Sequence, residues 1–173
     1  MASGYITLPL ETALFPTALA GTLVKTTSSG TPPSNAGTLT YNTINFTNDS
    51  NDERCMWSFT VPPNYLSTPT VTLLWGHTAT SGNAVILAGL GLSVTGTTDA
   101  DASAYLIADT SGAIAVPATA GIDKSTTISL TDRGAAGTLA AGQVVNLFVG
   151  RDASADTAAG TLKIRGGYFT FTC

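Results

Sequence analysis

Apolar and polar residues alternate along much of the chain beyond residue 38, and this pattern predicts β-strands. In Trp57–Val61, for example, Trp57, Phe59 and Val61 alternate with a serine and a threonine. A period of two places successive side chains on opposite faces of a sheet, so one face of each such strand is apolar. Clusters of Pro, Gly, Asn and Ser separate the runs, as turns do between strands.

The remaining runs complete the prediction of an all-β fold. Residues 84–94 are almost continuously apolar, which indicates a buried central strand. Toward the C-terminus, Phe169 and Phe171 alternate with threonines that face the opposite way. We predict an antiparallel β-sandwich of about eight strands. The other predicted strands are 38–46, 71–75, 126–130, 143–149, 161–165 and 168–173, with a short strand or helical turn at 104–108.

The N-terminal region, residues 1–38, has a different pattern. Its apolar residues are interrupted by prolines, and residues 25–37 are rich in Thr, Ser, Pro and Gly, as linkers are. We predict an extended N-terminal arm, or a first strand with a linker, at 1–38 and a β-sandwich domain at 39–173. An arm with exposed leucine and phenylalanine must cover them on its own domain or on a neighbouring subunit. The candidate partner-binding residues of the arm are Tyr5, Ile6, Leu8, Leu10, Leu14 and Phe15.

Charged residues are scarce, and their distribution argues against several kinds of partner. They form 10% of the chain, against roughly 25% in an average soluble domain. The 7 Lys and Arg residues do not cluster and the net charge is −4, so we expect no nucleic-acid partner and no membrane partner. The apolar runs are too short for a transmembrane helix, and the N-terminus lacks the basic region of a secretory signal. We therefore expect synthesis in the cytoplasm, and a surface covered by partner subunits or by uncharged hydroxyls.

The side chains on which most enzymes depend are few. His77 is the only histidine, and no Gly-x-Ser-x-Gly motif accompanies it, so we interpret it as a structural or surface residue. The only glutamates are Glu11 and Glu53, one in the arm and one in a turn. The aspartate pairs at 99 and 101, and at 152 and 156, lie in polar loops, and neither spacing fits an EF-hand. We predict a protein that is not an enzyme.

The two cysteines, Cys55 and Cys173, are far apart in the chain and fit no zinc-binding spacing. We interpret them as free, partly buried thiols. The alternative is a disulfide, if the last strand passes near residue 55. We expect no metal site and no cofactor.

Aromatic residues on a polar surface are candidates for stacking on sugar rings, because an aromatic face supplies apolar contact while nearby polar groups hold the hydroxyls. Trp57 and Trp75 lie on the apolar side of their own strands, so we expect them in the core. Tyr65, beside Pro62-Pro63-Asn64, is the better surface candidate. The other tyrosines considered for a sugar platform are Tyr41, Tyr105 and Tyr168.

Several segments resemble jelly-roll structural proteins of tailed-bacteriophage virions. They are Trp57-Ser-Phe-Thr-Val-Pro-Pro-Asn-Tyr65, Val71-Thr-Leu-Leu-Trp75, Ala79-Thr-Ser-Gly-Asn83, Ala141-Gly-Gln-Val-Val-Asn-Leu-Phe-Val-Gly-Arg-Asp152, Asp156-Thr-Ala-Ala-Gly160 and Gly166-Gly-Tyr-Phe-Thr-Phe171. The similarity spans residues 55–173 and is a pattern of strands and turns, so the N-terminal arm is not covered. It implies a jelly-roll-like sandwich on a phage particle, in the capsid or the tail, with no catalytic residues to transfer.

Two functions follow from these expectations. The first is a capsid decoration, or cement, protein: a homotrimer on the virion's capsid surface whose arm at 1–38 reaches a neighbour. It would stabilise the shell by bridging subunits of the major capsid protein. The alternative is a tail-associated or receptor-binding module that holds a host surface glycan with loop residues near 62–66 and 96–112. The two differ in oligomeric state and in co-sedimentation with capsids.

Overall fold

The computed structural model of the chain describes residues 2–18, 20–27, 40–47, 50–93, 109–131 and 139–173. These ranges hold ten strands and a 3₁₀ turn at Leu10–Thr12. In chain order the strands are β1 (Ser3–Thr7), β2 (Thr22–Thr27), β3 (Thr40–Phe46), β4 (Arg54–Thr60), β5 (Ser67–His77), β6 (Asn83–Ser93), β7 (Asp109–Ala115), β8 (Lys124–Ser129), β9 (Val144–Arg151) and β10 (Leu162–Thr172). No helix in the described ranges is long and apolar enough to cross a membrane.

The strands form two sheets in which paired strands run antiparallel. One sheet has six strands in the order β2-β3-β10-β5-β8, with β1 also paired to β10, and the other has four in the order β4-β9-β6-β7. Apolar side chains from both sheets fill the space between them, and Val71, Trp75 and Leu147 are among those with no exposed surface. The predicted antiparallel β-sandwich is confirmed.

The strands from β3 to β10 follow the order of a jelly roll. The first of these eight strands, β3, pairs with the last, β10. The next strands inward along the chain pair in the same nested order: β4 with β9, β5 with β8 and β6 with β7. The chain therefore forms one long antiparallel hairpin that is rolled into two facing sheets. β1 and β2 extend the six-stranded sheet beyond this framework, with β1 beside β10 and β2 beside β3.

The C-terminal residues form one long strand where the sequence predicts two. β10 runs continuously through this region, with a shift of its register against β5 between Ile164 and Gly166. The pair Gly166-Gly167 indicates a turn by sequence, but here it lies inside the sheet. A β-carbon on Gly167 would collide with the backbone oxygen of Thr72 in β5. The glycine therefore allows a close approach between strands, and the predicted break is wrong.

β7 is a strand that the alternation of apolar residues does not predict. Its sequence, Asp-Thr-Ser-Gly-Ala-Ile-Ala, contains a single large apolar side chain. The strand is held by its pairing with β6 and by Asp109, whose carboxylate accepts hydrogen bonds from the Thr131 backbone N–H (2.7 Å) and from the Thr131 hydroxyl. The short element predicted at 104–108 lies outside the described residues.

Both tryptophans lie in the core, as their alternation predicts. Trp75 donates its indole N–H to a threonine hydroxyl of β8 at 2.8 Å, and Trp57 donates to the Pro9 carbonyl at 2.8 Å. Each buried indole thus adds apolar contact without leaving its N–H unpaired. Tyr65 is also buried, with its ring centre 5.7 Å from that of Phe171, so its prediction as a surface aromatic is wrong.

A buried ion pair holds the loop between β9 and β10. Arg151 Nε lies 2.8 Å from Asp156 Oδ2, and both side chains are 1% exposed. The same guanidinium donates to the carbonyls of Ala158 (2.8 Å) and Gly160 (2.5 Å), so the loop wraps around it. His77, at the end of β5, is buried near this pair, and its Nδ1 accepts a backbone N–H at 2.9 Å. Burial and the Arg151 charge lower the pKa of His77, which is therefore a neutral structural residue at neutral pH.

Candidate functional site

The N-terminal region lies on its own sandwich in every described part. β1 pairs with β10 over its whole length, and β2 pairs with β3. Between these strands, the backbone of Leu14 exchanges hydrogen bonds of 2.7 and 2.9 Å with Met56 in β4. The region therefore contacts both sheets of the sandwich. Of the predicted linker at 25–37, residues 28–37 lie outside the described residues.

The six candidate residues of the predicted arm differ in burial. Leu8 and Leu10 are buried in the core, where no partner can reach them in this fold. Ile6 and Phe15 are partly buried against the same core. The other two, at 71% and 50% exposure, are Tyr5 and Leu14. A partner can contact these last two directly, and capsid binding by this region stays a prediction.

The outer face of the six-stranded sheet carries rows of hydroxyl groups. On β10 the two phenylalanines near the C-terminus point into the core, so the alternating Thr170 and Thr172 point outward. Neighbouring strands add further hydroxyls: Thr172 Oγ1 lies 2.8 Å from Ser67 Oγ, and Thr72 Oγ1 lies 2.8 Å from Thr127 Oγ1. This part of the face is polar and uncharged, and its hydroxyls bond to one another across strands.

Tyr5 and Tyr168 stand side by side on this face, and Tyr168 is 43% exposed. In the β1–β10 register, Tyr5 lies opposite Thr170 and Tyr168 lies opposite Thr7, so the two tyrosines are diagonal neighbours on adjacent strands. They border a shallow groove of about 240 Å³, which we name the tyrosine groove. It is lined by Ser3, Gly4, Tyr5, Tyr168 and Thr170.

Gly4 determines how β1 presents Tyr5. A β-carbon on Gly4 would collide with the ring of Phe171, so β1 lies directly over that ring because residue 4 has no side chain. Gly4 faces inward, and the next residue, Tyr5, therefore faces outward. The exposed position of Tyr5 thus follows from the close contact between Gly4 and the core.

A second recess opens where β10 meets two partners on one side. β3 pairs with Leu162–Ile164 and β1 with Tyr168–Thr172, which leaves Arg165, Gly166 and Gly167 between the two partners. The recess at this junction has a volume of about 360 Å³, and we name it the junction pocket. Its polar and aromatic lining comprises Thr7, Glu11, Tyr41, Asn42 and Arg165.

Arg165 is held on the outer face by three interactions. Its Nε lies 2.9 Å from Asp123 Oδ1, and its Nη2 donates to the Gly121 carbonyl at 3.2 Å. Its guanidinium carbon lies 4.9 Å from the centre of the Tyr41 ring, a cation–π distance. A β-carbon on Gly76 would come within 3.6 Å of Arg165 Nε, so the side chain crosses β5 at a glycine. The guanidinium is therefore directed toward the β7–β8 loop.

Glu11 contributes an exposed carboxylate to the junction pocket. Asn42 Nδ2 donates to Glu11 Oε1 at 2.6 Å. This hydrogen bond and the residue's own backbone N–H lower the pKa of Glu11 below its ordinary value. The group is therefore a carboxylate at neutral pH, and it offers hydrogen-bond acceptors to a ligand in the pocket.

The tyrosine groove and the junction pocket are neighbours at Thr7 and Tyr168. Thr7 lines the junction pocket, and in the β1–β10 register it lies opposite Tyr168, which lines the groove. Together the two recesses follow the β1–β10 pair. The four steps from Ser3 to Thr7 alone extend about 13 Å at roughly 3.3 Å per residue. The combined site is therefore elongated and suits a linear ligand.

The combined site has groups for recognition: two exposed rings, several hydroxyls, the Glu11 carboxylate and an arginine that is already paired. Glycoside hydrolysis needs two carboxyl groups that flank one bond. Among the described residues, Glu11 lines the combined site, and Asp123, which does not line it, forms an ion pair with Arg165. Among the described residues, no group of three or more His, Cys, Asp and Glu side chains could hold a metal ion. Cys55 and Cys173 are free thiols, and burial raises the pKa of Cys55.

Sequence reasoning named both tyrosines of the groove but did not place them together. Tyr5 is predicted as an arm residue and Tyr168 as one of several platform candidates. The available signal was the alternation at the C-terminus, since an inward Phe169 requires an outward Tyr168. Of the loops predicted to hold a glycan, 62–66 contains the buried Tyr65, and most of 96–112 lies outside the described residues.

The junction pocket contains Tyr41, one of the aromatic residues named as platform candidates, and Glu11, which was weighed only as a catalytic carboxylate. Asn42 and Arg165 were not predicted as site residues. Glu11, Asn42 and Arg165 belong to three separate segments of the chain. They meet because β1 and β3 both pair with the same side of β10. No local pattern in the sequence signals this arrangement.

Fold and site together define the class of the molecule as a jelly-roll β-sandwich with a groove on the outer face of one sheet and an adjoining pocket where β1 and β3 meet β10. No protein-family model matches the sequence, and no curated protein matches it. Solved structures with a similar fold include a xylan-binding module, CBM15, which is 15% identical with a TM-score of 0.49 over 98% of this chain and 97% of that chain.

Two further solved structures are similar in the same sense. An arabinose-bound α-L-arabinofuranosidase is 14% identical with a TM-score of 0.45, and the match covers 96% of this chain and 23% of that chain. The C-terminal CBM6 module of LamC, a marine laminarinase from Zobellia galactanivorans, is 15% identical with a TM-score of 0.42 over 96% and 99% of the two chains. At these identities the likeness does not extend to function.

Proposed function

We propose that this protein is a carbohydrate-binding β-sandwich module that holds a glycan chain along the tyrosine groove and the junction pocket. The observation that carries the proposal is the pair of exposed rings, Tyr5 and Tyr168, side by side over a groove lined with hydroxyls. A phenol ring combines an apolar face with a polar tip, and polar groups stand beside both rings. This combination matches a sugar, which has apolar C–H faces and a rim of hydroxyls.

Contact with the two rings supplies most of the expected affinity. A sugar that covers about 100 Å² of apolar surface on each ring gains about 2.5 kcal/mol per ring at roughly 25 cal/mol per Å². Ordering of the ligand offsets part of this gain. Hydrogen bonds to Thr7, Thr170 and the Glu11–Asn42 pair then set the orientation of the sugar chain.

Affinity electrophoresis in gels that contain a soluble neutral polysaccharide tests the proposal. The probes are laminarin, xylan, galactomannan and starch, each in a separate gel. We expect at least one of them to retard the wild-type protein. Tyr5→Ala and Tyr168→Ala should each weaken binding about tenfold, which corresponds to about 1.4 kcal/mol. Because both side chains are exposed, Tm should change little in either variant.

The matched control is Val144→Ala, which removes an exposed apolar side chain from the four-stranded sheet. This variant should bind like the wild type. Full binding by the Tyr5→Ala/Tyr168→Ala double variant would overturn the assignment of the site. Absence of retardation by every one of these polysaccharides, and also by the acidic polysaccharides polygalacturonate and alginate, would overturn the proposed function itself.

A second candidate is the virion structural role that the phage resemblance implies. The nested order of β3 to β10 favours it, since jelly rolls build viral capsid domains as well as lectins. Leu14, Leu66 and Ile122 are exposed on a chain with only 10% charged residues, which suits a subunit with large shared interfaces. In this role the protein is a homotrimer that binds the major capsid protein, and a glycan site on its outer face is compatible with that role.

Co-sedimentation with assembled phage capsids tests this second role, together with the molar mass from light scattering. We expect a mass of three chains and a protein that pellets only when capsids are present. A monomer that stays in the supernatant would argue against capsid decoration and would leave the glycan-binding proposal unaffected.

A further inference from the structure

The charges around the combined site determine whether it binds neutral or acidic glycans. The inference drawn from them rests on the glycan-binding function proposed above. We infer that the site selects uncharged sugar chains and rejects acidic polysaccharides. The inference depends on two charged residues that line the junction pocket. Arg165 is neutralised by its ion pair with Asp123, whereas the Glu11 carboxylate faces the ligand with no cation beside it.

Arg165 is the only cationic side chain among the described residues that line the two recesses, and its charge is already compensated. Asp123 lies 2.9 Å from its Nε, and the Gly121 carbonyl accepts from its Nη2. Both partners belong to the β7–β8 loop, on the far side of β5 from β1. Arginine binds a carboxylate most strongly through two parallel N–H donors on one edge of the guanidinium. The ion pair and the carbonyl take donors that this recognition would use.

Lys163 does not supply the missing positive charge. It lies two residues before Arg165 in β10 but lines neither the tyrosine groove nor the junction pocket. Its register partner in β3 is Asn45, whereas the pocket is lined from β3 by Tyr41 and Asn42. Lys25 of β2, the register partner of Asn42, also lines neither recess. Among the described residues, no uncompensated cation therefore lines the combined site.

Glu11 gives the junction pocket its negative character. The carboxylate is exposed, and its described hydrogen-bond partner from another residue is the neutral Asn42 amide at 2.6 Å. A carboxylate accepts hydrogen bonds and donates none, so it suits the hydroxyls of a neutral sugar. The same charge repels the carboxylate or sulfate of an acidic sugar, and the net charge of −4 on the chain adds to the repulsion.

The remaining polar groups of the combined site are neutral. Ser3, Thr7 and Thr170 present hydroxyls, and the two tyrosines present phenol groups. Hydroxyls both donate and accept, so they match the hydroxyl rim of an uncharged sugar in either direction. Acidic sugars thus meet repulsion at Glu11 and find no compensating charge elsewhere in the site.

The test compares neutral and acidic probes by affinity electrophoresis at low and high salt. The neutral probes are laminarin, xylan, galactomannan and starch, and the acidic probes are polygalacturonate and alginate. We expect neutral binding that does not change with salt, because no ion pair with the ligand forms. We expect acidic probes to bind at least about fivefold more weakly at low salt, where a like charge a few ångströms away is least screened.

Two isosteric variants assign the effect to one carboxylate. Glu11→Gln removes the charge from the junction pocket and should raise the affinity for polygalacturonate at low salt by about fivefold. Asp152→Asn removes one negative charge from the β9–β10 loop, which lines neither recess, and should leave the preference unchanged. Equal effects of the two variants would overturn the role of Glu11.

The outcomes separate this inference from the function on which it rests. Tighter binding of polygalacturonate or alginate than of every neutral probe would overturn the inference and keep the glycan-binding function. Binding of neutral and acidic probes with equal affinity would also overturn it. Absence of binding to both sets would overturn the glycan-binding function, and the inference would fall with it.

Discussion

Replacement of Asp156 by asparagine should destabilise the protein far more than the same replacement at Asp123. Each aspartate pairs with an arginine, Asp156 with Arg151 at 2.8 Å and Asp123 with Arg165 at 2.9 Å. The two pairs differ in burial, since both side chains are 1% exposed in the first and 20% and 37% exposed in the second. Asparagine keeps the shape of the side chain and removes its negative charge.

Burial determines the expected magnitude. After Asp156→Asn, the buried Arg151 guanidinium keeps its charge with backbone carbonyls as its remaining partners. Breaking a buried ion pair by removal of one partner costs about 3–5 kcal/mol, whereas an exposed pair contributes about 0–1 kcal/mol. In a chain of this length, 1 kcal/mol lowers Tm by about 2–4 °C, so we expect a loss of about 6–20 °C for Asp156→Asn and less than about 4 °C for Asp123→Asn.

Thermal and urea unfolding, followed by circular dichroism at neutral pH, measure both changes. The far-ultraviolet spectrum before unfolding checks that each variant retains its strands. Equal and small losses of stability in the two variants would refute the reasoning. That result would mean that the β9–β10 loop opens and exposes Arg151 to water in the native state.

Two further predictions concern the N-terminal region and the dependence of stability on pH. Leu8→Ala should lower the free energy of unfolding by about 2–5 kcal/mol because Leu8 is buried in the core. Leu14→Ala, at an exposed position, should lower it by less than about 0.5 kcal/mol. Equal losses in the two variants, measured by urea unfolding, would show that the N-terminal region is not anchored through Leu8. Burial and the Arg151 charge lower the pKa of His77 from its ordinary 6.5, so the unfolded chain binds the extra proton first. The stability contributed by neutral His77 is therefore complete above pH 6.5 and is lost as the pH falls toward the folded-state pKa, by up to about 1.4 kcal/mol per pH unit. Urea unfolding between about pH 7.5 and about 5.5 should show this slope in the wild type and not in His77→Gln, and an unchanged slope in the variant would assign it to other groups.

Local alternation predicted the sandwich well because strand formation and burial depend on neighbouring residues. Trp57 and Trp75 lie in the core as their spacing requires, and Phe169 faces inward as predicted. The wrong predictions concern residues whose positions depend on contacts with distant parts of the chain. Tyr65 follows a proline-rich turn, yet its ring reaches back to the core, and Gly166-Gly167 lies within β10 because β5 passes close to it.

The sequence by itself determined the β-rich pattern, the side of each well-patterned strand that faces the core, and the scarcity of charged and catalytic side chains. These properties are local, since a period of two assigns each side chain to a face wherever the strand is placed. Only the tertiary structure decided the candidate site. Tyr5 meets Tyr168, and Glu11 shares a pocket with Arg165, because β1 and β3 divide one side of β10 between them. These pairings bring residues near the start of the sequence beside residues near its end, so they depend on how the whole sheet assembles.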